Sequence, residues 1–170
     1  MSNKLSKKDS KLLVAKYKRL KEGCIIPEYK TAGSAGCDLA TRESILIEAG
    51  GLVKIDLGFA IEIPQGYEMQ IRSRSGLASQ GVIVMNQPAT IDSDYRGEIA
   101  VLLLNMSGVS VSFAKGDRIA QAVFNKVEQV AWDITDEIKQ TKRGEGGFGY
   151  TGISDAITSS SEEFAKSLAI

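Results

Sequence analysis

From Ser44 to Val130 the chain is a succession of short runs whose apolar and polar residues alternate. SILIE (44–48), LVKIDLGFAIEIP (52–64), YEMQIRS (67–73), EIAVLLLNM (98–106) and RIAQAVFNKVEQV (118–130) follow this pattern, with the apolar GVIVM (81–85) between them. A period of two puts alternate side chains on opposite faces of a strand. Gly50-Gly51, Gly58 and Lys115-Gly116-Asp117 supply turns between the runs. Roughly nine or ten strands at spacings of about 8 to 15 residues, with no helix of length between them, predict an all-β antiparallel sandwich or barrel rather than a βαβ fold. LLVAKYKRL, from Leu12, reads as a first strand, although its lysine spacing also suits a short helix.

At 170 residues the chain makes one domain with a sizeable core and ragged ends. Residues 1–11 are polar and form an N-terminal extension. Asp133 to Thr141 reads as a helical turn or a connector. At the C-terminal end, Ser159 or Ser160 precedes Glu162 or Glu163 by three residues, the signature of a short capped helix within 153–170. Charge is balanced at 21 basic and 21 acidic residues, so the composition argues for neither nucleic acid nor an anionic membrane surface as partner. No apolar run approaches the roughly 20 residues needed to span a bilayer. Two cysteines, Cys24 and Cys37, make no disulfide framework, and a reducing compartment is expected.

There is no histidine. Its absence removes the histidine-based triads, histidine general bases and histidine-ligated zinc. Chemistry in this chain must run on carboxylates, hydroxyls, backbone amides, lysine and arginine, or a hard metal ion.

Five stretches carry groups suited to such chemistry. TAGSAGCDLAT (31–41) sets small residues ahead of Asp38, either to let backbone approach a neighbour closely or as an ordinary glycine-rich turn with an Asx cap. RSRSGLA (72–78) alternates arginine forks with hydroxyls before Gly76, which suits phosphate or equally a solvated strand. TIDSDYRGEI (90–99) places Asp92, Asp94, Arg96 and Glu98 on alternate residues. Aspartate is disfavoured in strands and Gly97 weakens one, so a tight turn or hairpin presenting these groups is the better reading. KGDRIAQAVF (115–124) offers Gln121 on a strand leaving a turn.

RGEGGFGYTG (143–152) is glycine-rich. Gly144, Gly146 and Gly149 fit a dinucleotide fingerprint, but the chain ends too soon for the βαβ unit and the distant acid. A P-loop is excluded because Tyr150 stands where the lysine belongs. The segment reads as a mobile arm carrying a cation, an aromatic plate and a hydroxyl: Arg143, Phe148 and Thr151.

Taken together, AGCDLA (35–40), RSRSGLA (72–78), NQPATIDSDYRGEI (86–99), GDRIAQ (116–121) and RGEGGFGYTG (143–152) resemble the five ordered motifs of the trimeric dUTPases. The resemblance spans most of the chain; only the first dozen or so residues and the tail after Gly152 fall outside it. It implies a distorted jelly-roll (β-clip) subunit over 12–142 and a mobile arm at 143–152 closing over a neighbour's site. It also implies a homotrimer with shared active sites, and Mg²⁺-assisted hydrolysis of dUTP to dUMP and pyrophosphate. Such an enzyme keeps uracil out of DNA and supplies dUMP for dTMP synthesis, in the cytoplasm or, in a eukaryote, the nucleus. The alternatives are a dCTP deaminase of the same superfamily and a non-catalytic nucleotide-binding regulatory trimer.

By position, Asp92 is similar to the carboxylate that activates water at the α-phosphorus. Tyr95 resembles the residue that packs on the deoxyribose. Asn86 and the backbone of Ala89, Thr90 and Ile91 would read the uracil edge. Asp38 looks like the aspartate that holds Mg²⁺ through water. Arg74, Ser75, Gly76 and Gln121 would line the triphosphate, Arg143 and Thr151 would hold its γ end, and Phe148 and Gly149 would cover the base. The chain departs from the family pattern at Ala89, usually glycine, and at Tyr150, usually a small hydroxyl residue.

Overall fold

Among the described residues, the alternation seen in the sequence becomes eleven strands and a single helical turn. The computed structural model describes residues 12–151, so the expected terminal extensions 1–11 and 153–170, with the capped helix, and Gly152 of the arm lie outside the described residues. The strands are β1 (Lys16–Arg19), β2 (Cys37–Ala40), β3 (Ile45–Ile47), β4 (Leu52–Asp56), β5 (Phe59–Glu62), β6 (Tyr67–Arg72), β7 (Val82–Val84), β8 (Ala89–Ile91), β9 (Ala100–Asn105), β10 (Val111–Phe113) and β11 (Arg118–Lys126). The helical turn, α1, is Ser75–Ala78. β2, β11, β6 and β8 form one sheet in that order, and β4, β9 and β7 a second; β1 with β5 and β3 with β10 make two-stranded ribbons. Every pairing is antiparallel. This is the all-β antiparallel architecture that the run spacing predicts, and it is consistent with the jelly roll that the resemblance implies.

The core follows from the period of two. In β9, Val101, Leu103 and Asn105 point inward while Ala100, Leu102 and Leu104 stay half-buried outside. Inward residues of the other strands, among them Leu39, Ile47, Phe59, Met69, Ile71, Val84 and Ile119, complete one apolar cluster. Tyr17 of β1 stacks on Phe59 at 4.7 Å between ring centroids. Each large apolar side chain taken from water contributes about 1.5–3 kcal/mol, the main favourable term. Both cysteines are free, and burial pushes the Cys37 thiol up from its ordinary value.

Four local differences from the sequence reading have physical causes. TAGSAGCDLAT is not all turn: Cys37 to Ala40 pair with β11, because Cys37 and Leu39 are buried by that pairing. The first strand is short, since only residues 16–19 find partners on β5. RSRSGLA leaves β6 at Arg72 and coils into α1, so Gly76 lies inside a helical turn rather than breaking the chain. β11 ends at Lys126, and 127–141 hold neither helix nor strand.

The chain divides after Gln129 into two units. The first contains every strand. The second contains no helix or strand among its described residues.

One buried polar side chain organises a corner of the first unit. Asn105 is fully buried, and its Nδ2 donates to the carbonyls of Ile47 (3.1 Å), Glu48 (3.1 Å) and Val109 (2.8 Å). Its Oδ1 accepts from the backbone N–H and the hydroxyl of Ser107. Removing it orphans several groups at once, and each buried unsatisfied group costs about 1–3 kcal/mol. Asn105→Ala should lower unfolding stability by about 2–4 kcal/mol in a denaturant titration.

Candidate active site

Asp38 and Ala40 are the outward residues of β2. Asp38 faces Gln121 on β11, and Gln121 in turn faces Arg72 on β6, so the three form one row across the four-stranded sheet. Its carboxylate is held by two guanidiniums: Arg74 Nε at 3.2 Å from Oδ1 and Arg118 Nη1 at 3.0 Å from Oδ2. Arg74 also donates to the Arg118 carbonyl at 2.7 Å. Gln121 Nε2 donates to the Ser73 carbonyl at 2.9 Å. The Ser73 amide donates to Gln87 Oε1 at 2.9 Å, and its hydroxyl accepts from the Val84 amide. Four of the five motifs thus meet around Ser73 and Asp38.

The backbone makes that meeting possible. Between Arg118 and Ala120 the register of β11 against β2 shifts by one residue, a β-bulge. In a regular strand, Arg118 and Gln121 would lie on opposite faces. The bulge buries Ile119 and Ala120 in succession and leaves both polar side chains on the outer face. Gly36 supplies room: a Cβ there would sit 2.7 Å from Gln121 Oε1 and 3.3 Å from a Val123 methyl.

Asp38 also lines a cavity of about 430 Å³, together with Ile25, Ile26, Glu28, Lys30, Gly116 and Arg118. The described residues hold no group of three metal-ligating side chains. A lone carboxylate with both oxygens on guanidiniums is no direct cage for a cation. It does fit a hard ion that keeps its waters and is carried by phosphate oxygens, the usual Mg²⁺ arrangement.

Asp92 lies elsewhere. It follows β8 and lines a cavity of about 880 Å³ with Thr90, Ser93, Asp94, Arg96 and the Glu62–Glu68 turn. The Lys16 ammonium, hydrogen-bonded to Glu62, holds that carboxyl below its ordinary value. The expected turn is present, with the Tyr95 amide donating to the Asp92 carbonyl at 3.2 Å and Arg96 to the Ser93 carbonyl at 2.6 Å. Ile91 faces Met69, whereas the Asp38 row crosses β6 at Arg72. At about 3.3 Å per residue and 4.8 Å per strand, Asp92 sits about 13 Å along the sheet and about 14 Å across it from Asp38, a separation near 19 Å. Asp92 and the Asp38 row therefore lie apart on one subunit.

Ala89 sits in β8, buried and paired with Ile71, and its φ is not positive, so the side chain in place of glycine costs no strain. Thr90 and Asn86 are exposed, and Ile91 is half-buried. Ser75 and Gly76 open α1, where first-turn amides have no intrahelical acceptor. Arg143, Phe148, Gly149 and Thr151 belong to the second unit. There Arg143 Nε donates to the Gly146 carbonyl at 2.7 Å, and its guanidinium lies 6.0 Å from the Tyr150 ring centroid. Phe148 takes a φ of +34° before Gly149 at +98°.

Residues 22–152 match the model of the dUTPase family. The chain belongs to that family. Relatives support the assignment: the deoxyuridine 5′-triphosphate nucleotidohydrolase of Treponema denticola is 48% identical over 140 residues, 81% of this chain and 97% of that one. Its counterpart from Anaplasma marginale is 50% identical over 133 residues, 76% and 90% of the two chains. In structure, a mutant dUTPase of Staphylococcus bacteriophage 80alpha with dUpNHpp superposes with a TM-score of 0.76 at 24% identity, covering 82% of this chain and 99% of that chain. A mutant phage phi11 dUTPase, described for its coordination of a structural Mg(II) ion, superposes at 0.67 and 20% identity, covering 73% and 97%.

Arg118, Ser73 and Gln87 were not singled out from the sequence, although each lies within or beside a family motif. Gly36→Ala is expected to fold but to push Gln121 off the Ser73 carbonyl. Since misplacing a positioned group by about 1 Å can cost up to about 100-fold in rate, its kcat/KM should fall far more than its thermal stability does, as paired kinetics and melting curves would show.

Proposed function

We infer that the protein is a dUTP diphosphatase, converting dUTP and water to dUMP and pyrophosphate. The observation that carries this reading is the family match over residues 22–152, which contains all five motifs. The Asp92 carboxylate serves as general base for the attacking water at the α-phosphorus, a role that suits a chain without histidine. Tyr95 packs on the deoxyribose, and Asn86 with the backbone of Ala89, Thr90 and Ile91 pairs with the uracil edge. A site built to pair with particular polar groups can reject a mismatched base by roughly 10⁴–10⁵. Arg74, Ser75, Gly76 and Gln121 align the triphosphate and stabilise charge that develops on it.

Mg²⁺ on the phosphates, held through water by Asp38, would supply charge neutralisation. Arg74 and Arg118 already bind that carboxylate, so phosphate and Asp38 both attract the Arg74 guanidinium.

The separation of Asp92 from the Asp38 row supports a site shared between subunits of a homotrimer. A base and sugar at Asp92 and Tyr95 of one subunit would direct their phosphates to the Asp38 row of another. The second sheet offers an apolar surface for association: Leu52, Leu104 and Ile83 are aligned across β4, β9 and β7, and none is buried within the subunit. Arg143, Phe148, Gly149 and Thr151 on the arm would close over the γ-phosphate and the base, excluding water. No helix among the described residues is long and apolar enough to cross a membrane. A role in the cytoplasm, or in the nucleus of a eukaryote, fits this chemistry.

With Mg²⁺, the purified protein should release pyrophosphate from dUTP far faster than from dCTP, dTTP or UTP; ammonia release from dCTP would overturn the reading in favour of deamination. Asp92→Asn should keep nucleotide affinity in calorimetry while losing about 10²–10⁴ in kcat. Truncation before Arg143 should cripple turnover and leave the sedimentation coefficient that of a trimer.

A further inference from the structure

The Tyr95 ring lies directly on Gly97. A Cβ built on Gly97 would fall 2.5 Å from Tyr95 Cζ and 2.9 Å from Cε2, and closer still to the hydroxyl. Real Cβ atoms do not approach a ring so closely, and packed groups cannot absorb such an overlap without moving. Gly97 is not among the residues with positive φ, so its backbone accepts any side chain. What Gly97 supplies is space for one ring.

The floor beneath that ring is fixed. The Tyr95 hydroxyl donates to the Glu98 carbonyl at 3.1 Å. Glu98 Oε1 accepts the Gly58 amide at 2.9 Å, and Oε2 pairs with Lys21 Nζ at 2.8 Å. The next residue, Ile99, is fully buried and exchanges backbone hydrogen bonds with Phe59 and Leu57 at 2.8 and 2.9 Å. On the other side, Arg96 donates to the carbonyls of Ser93 and Tyr95, clamping the turn. Tyr95 itself is 43% exposed, so the ring is anchored at its edge and base while open to a ligand.

We propose that Gly97 is a positioning residue for discrimination at the sugar: by leaving room for the Tyr95 ring over its own Cα, with the hydroxyl tied to the anchored Glu98 carbonyl, it sets the ring height that excludes a 2′-hydroxyl. The inference rests on the assignment of Tyr95 to the deoxyribose. A side chain at position 97 lifts the ring off its floor and breaks the bond to Glu98. Asp92 is tied to Tyr95 through the backbone, its carbonyl accepting the Tyr95 amide at 3.2 Å, and the ratio between sugars is expected to change most.

The test compares dUTP and UTP as substrates of the wild type, Gly97→Ala, Tyr95→Ala, Tyr95→Phe and the Gly97→Ala/Tyr95→Ala double variant. Gly97→Ala is expected to lower the dUTP-to-UTP ratio of kcat/KM at least about tenfold, mainly through KM for dUTP. Tyr95→Phe, which keeps the ring and loses only its tie to Glu98, should fall between Gly97→Ala and the wild type. In the Tyr95→Ala background Gly97→Ala should change the ratio no further, since a shared mechanism is non-additive. An unchanged ratio in Gly97→Ala, or an equal loss in both backgrounds, overturns the proposal. Should Gly97→Ala fail to fold, recovery of folding in the double variant supports the same ring contact, and failure of both overturns it. A wild type that discriminates while Tyr95→Ala discriminates equally well removes Tyr95 from the sugar, and with it the premise rather than the Gly97 contact.

Discussion

β11 is paired on both edges, with β2 on one side and β6 on the other, and the rest of the site depends on how that strand runs. Its bulge turns Arg118 and Gln121 to the same outer face, where one grips Asp38 and the other the Ser73 carbonyl. The inward half of the same strand, Ile119, Ala120 and Ala122, is part of the apolar core. Slipping β11 by one residue would bury the polar pair and expose the apolar one, so core packing enforces the site's register. Stability and function share one strand.

The pairing has a second consequence. The same sheet that gathers Asp38, Gln121 and the start of the 72–78 motif leaves Asp92 just past the end of its far strand, toward the opposite end. Antiparallel register is rigid on this scale, because each rung is fixed by backbone hydrogen bonds. Asp92 and the Asp38 row cannot be brought together inside the subunit without breaking β6 from β8 or β11. The anchored Tyr95 turn fits that arrangement: it is stiffened by its own subunit through Gly58, Lys21 and Ile99, and it presents the ring outward.

Much of this was legible in the residues, and what was not has a local reason. The runs at 45–47, 52–56, 67–72 and 100–105 show their strand period openly because each has one buried face. β2 and β8 were hidden, because Cys37–Ala40 and Ala89–Ile91 sit beside Gly-rich or charged stretches that read as turns. Arg118 escaped notice for a different reason. In a regular strand its side chain points away from Gln121, and only the bulge reverses it.

The amino-acid sequence by itself determined the all-β class, through the period of its strands, and the family, through its five ordered motifs. The lack of histidine narrows the chemistry open to the chain, and all three are read locally. Only the tertiary structure decided that Asp38 lies between Arg74 and Arg118, that Gln121 needs the gap at Gly36, that Asp92 stands apart, and that Gly97 gives its space to Tyr95. Each of these depends on strand register, on a bulge or on side-chain packing. Contacts across 80 residues of chain, or between a ring and a missing Cβ, exist only after the sheets have closed.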